Sequence, residues 1–178
     1  MTDQLRRATV FGVDEQSDVD VDVARWVTLA ERVLDDEKVR TTAELSLLFV
    51  DEAAMAELNE RHMGAEGPTD VLAFPIDDDP IEQGRWPDNG STGPDRPPPD
   101  ADEVPILLGD VVICPARAAE QAPGHGGAPH HDGSVDDELA LLVVHGVLHV
   151  LGMDHADPAE TEAMQARERA LLSRHHRA

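Results

Sequence analysis

Apolar positions along the chain switch between two periods. Val10, Val13, Val19 and Val21 alternate loosely through residues 8–23, as in a strand. Val23, Trp26, Val27, Ala30, Val33 and Leu34 then recur three and four apart, which predicts an amphipathic helix over 23–39. Residues 41–50 (TTAELSLLFV) are a short apolar run of strand character. Asp51 is placed to cap a second helix that carries Ala54, Met55 and Leu58 and runs to about His62. Residues 69–76 (TDVLAFPI) predict a third strand, with Pro75 marking an edge or an end. Residues 106–115 (ILLGDVVICP) predict a fourth, and 116–121 the start of a short helix. Ser134 caps the strongest helix, 134–152, which is almost wholly apolar from Leu139 to Leu151. A helix apolar all round belongs in the middle of a fold. Asp157-Pro158 opens a last amphipathic helix ending near Ser173.

Two segments interrupt this pattern. Residues 77–103 hold nine acids, two arginines, six prolines and three glycines, a composition that cannot bury much apolar surface. They read as an acidic, proline-rich surface insertion. Residues 123–133 (PGHGGAPHHDG) read as a second, Gly/His-rich flexible loop, its histidines solvated like His175 and His176 in the tail. At 178 residues the whole chain, 1–178, is expected to be one domain carrying both loops.

Charge narrows the function. Fourteen basic residues minus 37 acidic ones gives −23, which argues against a nucleic-acid coat or a binder of anionic membranes. A single cysteine, Cys114, excludes an intramolecular disulfide and a Cys-rich zinc module. The N-terminal residues lack a signal-peptide apolar region, and no run approaches ~18 apolar residues. The expectation is a cytoplasmic protein with no membrane partner.

The chemistry concentrates at His145-Gly146-Val147-Leu148-His149, followed by Gly152, Asp154 and His155. Histidines at i and i+4 lie one turn apart on one helix face, so both imidazoles reach one ion. Gly152 can turn left-handed and end the helix, letting the chain present His155 as a third ligand. Three imidazoles with an open fourth position describe a catalytic zinc site, one Zn2+ per chain. The spacing is that of the metzincin peptidases, except that Gly146 stands where those enzymes carry their general-base glutamate. That change disfavours peptidase chemistry. Asp154 is the spare carboxylate, able to orient a ligand or to handle a proton.

His145-Gly-Val-Leu-His149-Val-Leu-Gly-Met-Asp154-His155 resembles the H-G-x-L-H-L-x-G-x-D-H signature of the YbeY-type endoribonucleases and rRNA maturation factors. Leu58-Asn59, then Pro68-Thr69-Asp70-Val71-Leu72-Ala73-Phe74-Pro75, then Leu108-Gly109-Asp110-Val111-Val112-Ile113, resemble three further segments of that family in the same order. The resemblance spans about residues 8 to 172. It implies an α+β, zincin-like fold: a small mixed sheet of about four strands packed on helices, with the ligand-bearing helix buried. It implies a divalent metal, usually zinc, on His145, His149 and His155. It also implies single-strand-specific cleavage of RNA, with roles in 16S rRNA 3′-end maturation and ribosome quality control. Ala73 stands at the family's serine position. Met63 stands at the position of the arginine thought to contact RNA, and His62 at the tyrosine before it.

Arg61, two residues before Met63, is the local cation for a phosphate contact, since a guanidinium pairs with phosphate in a bidentate way. Arg61 and Asp154 are therefore the candidate catalytic residues. The net charge repels RNA at long range, so binding calls for the metal, a cationic rim or a basic partner such as a ribosomal protein; a DNA partner is not expected. The competing readings are a metallopeptidase-like hydrolase of a non-RNA substrate and a zinc-stabilised, non-enzymatic ribosome assembly factor.

Overall fold

The computed structural model describes residues 8–39, 42–76 and 105–177. In chain order the elements are β1 (Thr9–Asp14), α1 (Val23–Asp36), β2 (Ala43–Phe49), α2 (Glu52–Met63), β3 (Val71–Pro75), β4 (Ile106–Ile113), α3 (Pro115–His125), α4 (Val135–Val150) and α5 (Pro158–His175). The acidic insertion predicted over 77–103 lies outside the described residues.

The four strands form one sheet in the order β1-β2-β4-β3. β1 and β4 run parallel to β2, and β3 runs antiparallel to β4, so the sheet is mixed. Pro75 ends β3, an edge strand, where its missing N–H costs no ladder bond. Strand alternation divides the core between the two faces of the sheet. Leu45, Leu47 and Phe49 of β2 are buried with residues of α1, α4 and α5. On the other face Leu48, Leu72 and Val112 pack with Met55 and Leu58 of α2. Among the described residues, no helix is long and apolar enough to cross a membrane.

α4 is the centre of the molecule, in contact with α1, α3, α5, β3 and β4. Neighbours on so many sides explain why it is apolar all round. Ser134 Oγ accepts the Asp137 N–H at its start, as a Ser N-cap should. α3 is longer than the sequence pattern predicts, continuing through Pro123 to His125. Ala118 and Ala122 are fully buried and α3 packs against α4, so tertiary contact carries the helix past a residue of poor helical propensity. The flexible loop expected over 123–133 is therefore partly helix.

Gly109 sits at an irregularity in the β2–β4 pairing with φ +144°. A Cβ there would lie 2.2 Å from the Phe74 carbonyl oxygen of β3. Only glycine lets these two strands approach, and β3, held in this way, lines one side of the site.

Candidate metal centre

His145 and His149 project from the C-terminal half of α4, one turn apart. α4 ends at Val150, Gly152 adopts φ +93°, and Met153 N–H donates back to the Leu148 carbonyl. This left-handed closure turns the chain so that His155 faces the other two histidines. Ring centroids lie 4.5 Å apart for His145 and His149, 4.9 Å for His149 and His155, and 5.9 Å for His145 and His155. One ring nitrogen from each falls within 4.8 Å of the other two.

The protons on these rings are as telling as their spacing. His145 Nδ1 lies 2.5 Å from Glu168 Oε1 on α5, and a carboxylate only accepts, so Nδ1–H donates; in the neutral ring that leaves the lone pair on Nε2. His149 Nε2 is 3.0 Å from that atom, close enough for the two to share one proton or one cation. Burial, then electrostatic coupling to the neighbouring His145 and His155 rings, holds His149 below the usual imidazole range, although Asp154 and a backbone hydrogen bond at Met153 pull upward. The lowering favours the neutral imidazole, the form that binds a metal. Three imidazoles, two with lone pairs turned to a common point, are a donor set that fits zinc.

The histidines line a cleft of about 670 Å³, together with Met63, Asp70 to Ala73 and Pro75 on one side and Gly152 to Asp154 and Glu160 on the other. Asp154 is exposed in this cleft, and its Oδ1 accepts the His155 N–H at 2.7 Å, which fixes the turn that carries the third ligand. Arg61 is not among the cleft-lining residues. Its side chain, 62% exposed, pairs with Glu57 one helical turn back, whereas Met63 reaches the cleft. Among the described lining residues, Asp70, Asp154 and Glu160 carry negative charge and none is Arg or Lys.

Sequence reasoning missed Glu168, Asp70 and Glu160. The composition of residues 123–133 predicts solvated loop histidines at His125 and His131. The structure instead buries His131 at 7% exposure and brings both rings to Glu138, a carboxylate only 1% exposed: His125 Nδ1 at 2.7 Å and His131 Nε2 at 2.8 Å. Here the proton sits the other way. Gly133 N–H donates to His131 Nδ1, leaving the ring proton on Nε2, aimed at Glu138. This second group is a hydrogen-bonded tie between α3, its following loop and α4, with no lone pair of His131 free for an ion. His175 and His176, also expected to be solvated, are mostly buried in the last turn of α5 and beside it, against Asp36 and Asp137, both at 2.8 Å.

Comparisons with known proteins agree with this geometry. The sequence profile of the family described as Endoribonuclease YbeY matches residues 13–176. Endoribonuclease YbeY of Salinispora tropica is 45% identical over 163 residues, covering 90% of this chain and 92% of that protein. The protein of the same name from Beutenbergia cavernae is 46% identical over 162 residues, covering 90% and 93%. That of Mycobacterium bovis is 44% identical over 160 residues, covering 90% and 80%. The solution structure of TM1509 from Thermotoga maritima shares the fold, with a TM-score of 0.51 at 18% identity over 94% of this chain and 90% of that one. The α+β arrangement expected from the sequence, a small mixed sheet of four strands packed on helices with the ligand-bearing helix buried, is the one the chain adopts. With a profile match along nearly its whole length and relatives at 44–46% identity, the chain belongs to the Endoribonuclease YbeY family.

Proposed function

We propose that this protein is a single-strand-specific, zinc-dependent endoribonuclease of the cytoplasm. Its work is rRNA processing, at the 3′ end of 16S rRNA, and ribosome quality control. The observation that carries the metal reading is the convergence of His145, His149 and His155 at one end of an open cleft. The RNA reading rests on family membership.

One zinc ion per chain, held by these three residues, would supply an acidified water and a Lewis acid for a phosphoryl oxygen. The rest belongs to the chain itself. Met63, Leu72 and Pro75 form an apolar wall against which a splayed, unpaired nucleotide can lie. Asp154, exposed beside the third histidine, would take the proton released by the attacking water and pass it to the leaving oxygen. Arg61 would contact phosphate by exchanging Glu57 for substrate, an inexpensive exchange because an exposed pair contributes no more than about 1 kcal/mol. Asp70, Asp154 and Glu160 repel phosphate, so RNA must be drawn in by the ion or delivered by a basic partner, which fits action on ribosomes.

A peptidase reading gains nothing from the geometry. The position of the missing general base, Gly146, faces Val111 of β4. The test compares zinc-loaded wild type with His149→Ala on single-stranded RNA, double-stranded RNA and casein. Cleavage confined to single-stranded RNA and lost in the variant supports the proposal. Casein hydrolysis, or RNA cleavage unchanged in His149→Ala, overturns it, and zinc-dependent folding without cleavage selects the assembly-factor reading.

A further inference from the structure

We propose that Glu168 is the positioning residue of the metal centre: its buried carboxylate locks His145 into the tautomer that presents Nε2 to the ion. The inference rests on the metal site proposed above. It begins from an anomaly in α5. The inner face of that helix reads Met164, Glu168, Leu171 and Leu172, four buried positions at helical spacing, one of them charged. Packing alone would be served by another apolar side chain, and a carboxylate at 7% exposure is costly unless it is partnered. Among the described residues, its hydrogen-bond partner is His145 Nδ1, reached across 23 positions of sequence.

That one contact does three things. It holds the proton on Nδ1, so Nε2 offers a lone pair toward His149 and His155. It fixes the plane of the ring, since Glu168 Oε1 and the ion site lie on opposite edges of the imidazole. It also places a carboxylate directly behind the ring, on the side away from His149 and His155. The group at His125, His131 and Glu138 provides the internal contrast. It also pairs histidines with a buried glutamate, but the Gly133 N–H assigns the opposite tautomer to His131. The same residue types thus make a ligand at one place and a structural tie at the other.

The experiment uses zinc-stripped full-length protein with Glu168→Gln and Glu168→Ala. Glutamine keeps the shape and an acceptor oxygen while losing the charge, so it carries the test if the alanine variant fails to fold. Zinc affinity is measured by competition with a chromophoric chelator. The His145 tautomer is read in zinc-free protein from long-range proton–nitrogen NMR correlations, a signature that loss of packing alone would not move. The expected result is a loss of affinity of about 10- to 100-fold in Glu168→Ala and a smaller loss in Glu168→Gln. Wild-type His145 should be protonated at Nδ1, with that preference lost in the alanine variant. Affinities within twofold of wild type together with an unchanged tautomer would overturn the role of Glu168 alone. A wild-type chain that takes up no zinc would overturn the metal reading beneath it.

Discussion

Gly146 and Val111 are so close that no side chain fits between α4 and β4: a Cβ on residue 146 would lie 2.4 Å from Val111 Cγ1. The glycine that replaces the peptidase glutamate is therefore a packing requirement, and it lets the ligand helix sit directly on the sheet. Gly146→Ala should gain about 1 kcal/mol of helix propensity but lose about 1–3 kcal/mol to overpacking against a stiff β-branched neighbour. We expect the overpacking to win. Thermal unfolding of zinc-free protein should show a lower melting temperature, by up to roughly 8 °C for a net loss of up to about 2 kcal/mol. An unchanged or higher value would mean that Val111 moves aside freely.

Metal content should fall to near zero when any one of His145, His149 or His155 becomes alanine. Two imidazoles in an open cleft bind zinc far less tightly than three, and the nearby carboxylates Asp154 and Glu160 are exposed, so ordering either as a substitute would cost side-chain entropy. Atomic emission after dialysis measures this directly. Full occupancy in His155→Ala, the most exposed of the three, would show that the third ligand lies elsewhere.

The difference between what was readable in the sequence and what was not follows sequence distance. α4, its Ser134 cap and the Gly152 turn are local features, and the three histidines lie within eleven consecutive residues, so spacing alone placed them together. Glu168 meets His145 only because α5 folds back along α4, and Glu138 meets His125 and His131 only because α3 packs there. One signal was present: a glutamate inside the apolar stripe Met164, Leu171, Leu172. The motif pair Leu58-Asn59 carries no local reason for its asparagine. Asn59 is buried and its Nδ2 donates to the Gly67 carbonyl at 2.8 Å, pinning the turn that delivers β3 to the cleft wall.

Asp36 should make stability depend on acid. Burial raises the pKa of its carboxyl, but hydrogen bonding and charge from His175, then from Arg174, outweigh this and leave it below the ordinary 3.8. A carboxyl lowered on folding contributes stability that is fully present above 3.8 and is lost as pH falls through the folded value. Partial exposure limits the pair to about 0.5 kcal/mol. Asp36→Asn should therefore lower the melting temperature by ~1–2 °C at pH 7. The gap from wild type should close below pH 3.8; a gap that persists there would assign the effect to packing.

Arg61 and Met63 give the sharpest test of how the cleft holds RNA. The family pattern puts a cation at 63, where this chain has a methionine that lines the cleft, and the local cation lies two residues earlier, paired with Glu57. Two positions apart on a helix are about 200° apart around its axis, so both side chains cannot face the cleft from the same backbone. If Arg61 nonetheless reaches substrate, Arg61→Ala should lower cleavage at least ~10-fold, about 1.4 kcal/mol of transition-state binding, at unchanged zinc content. Met63→Arg should raise kcat/KM by a similar factor, because it adds a guanidinium to a cleft whose described lining residues include Asp70, Asp154 and Glu160 and no Arg or Lys. The pair separates the two possibilities. Loss in Arg61→Ala means the helix end moves on binding RNA and frees Arg61 from Glu57. Arg61→Ala within twofold of wild type, with stability changed by only a few tenths of a kcal/mol, assigns Arg61 to the surface pair alone. A gain in Met63→Arg alongside it would then place the phosphate contact at 63, and the wild-type enzyme would depend on its ion or a basic partner to hold RNA.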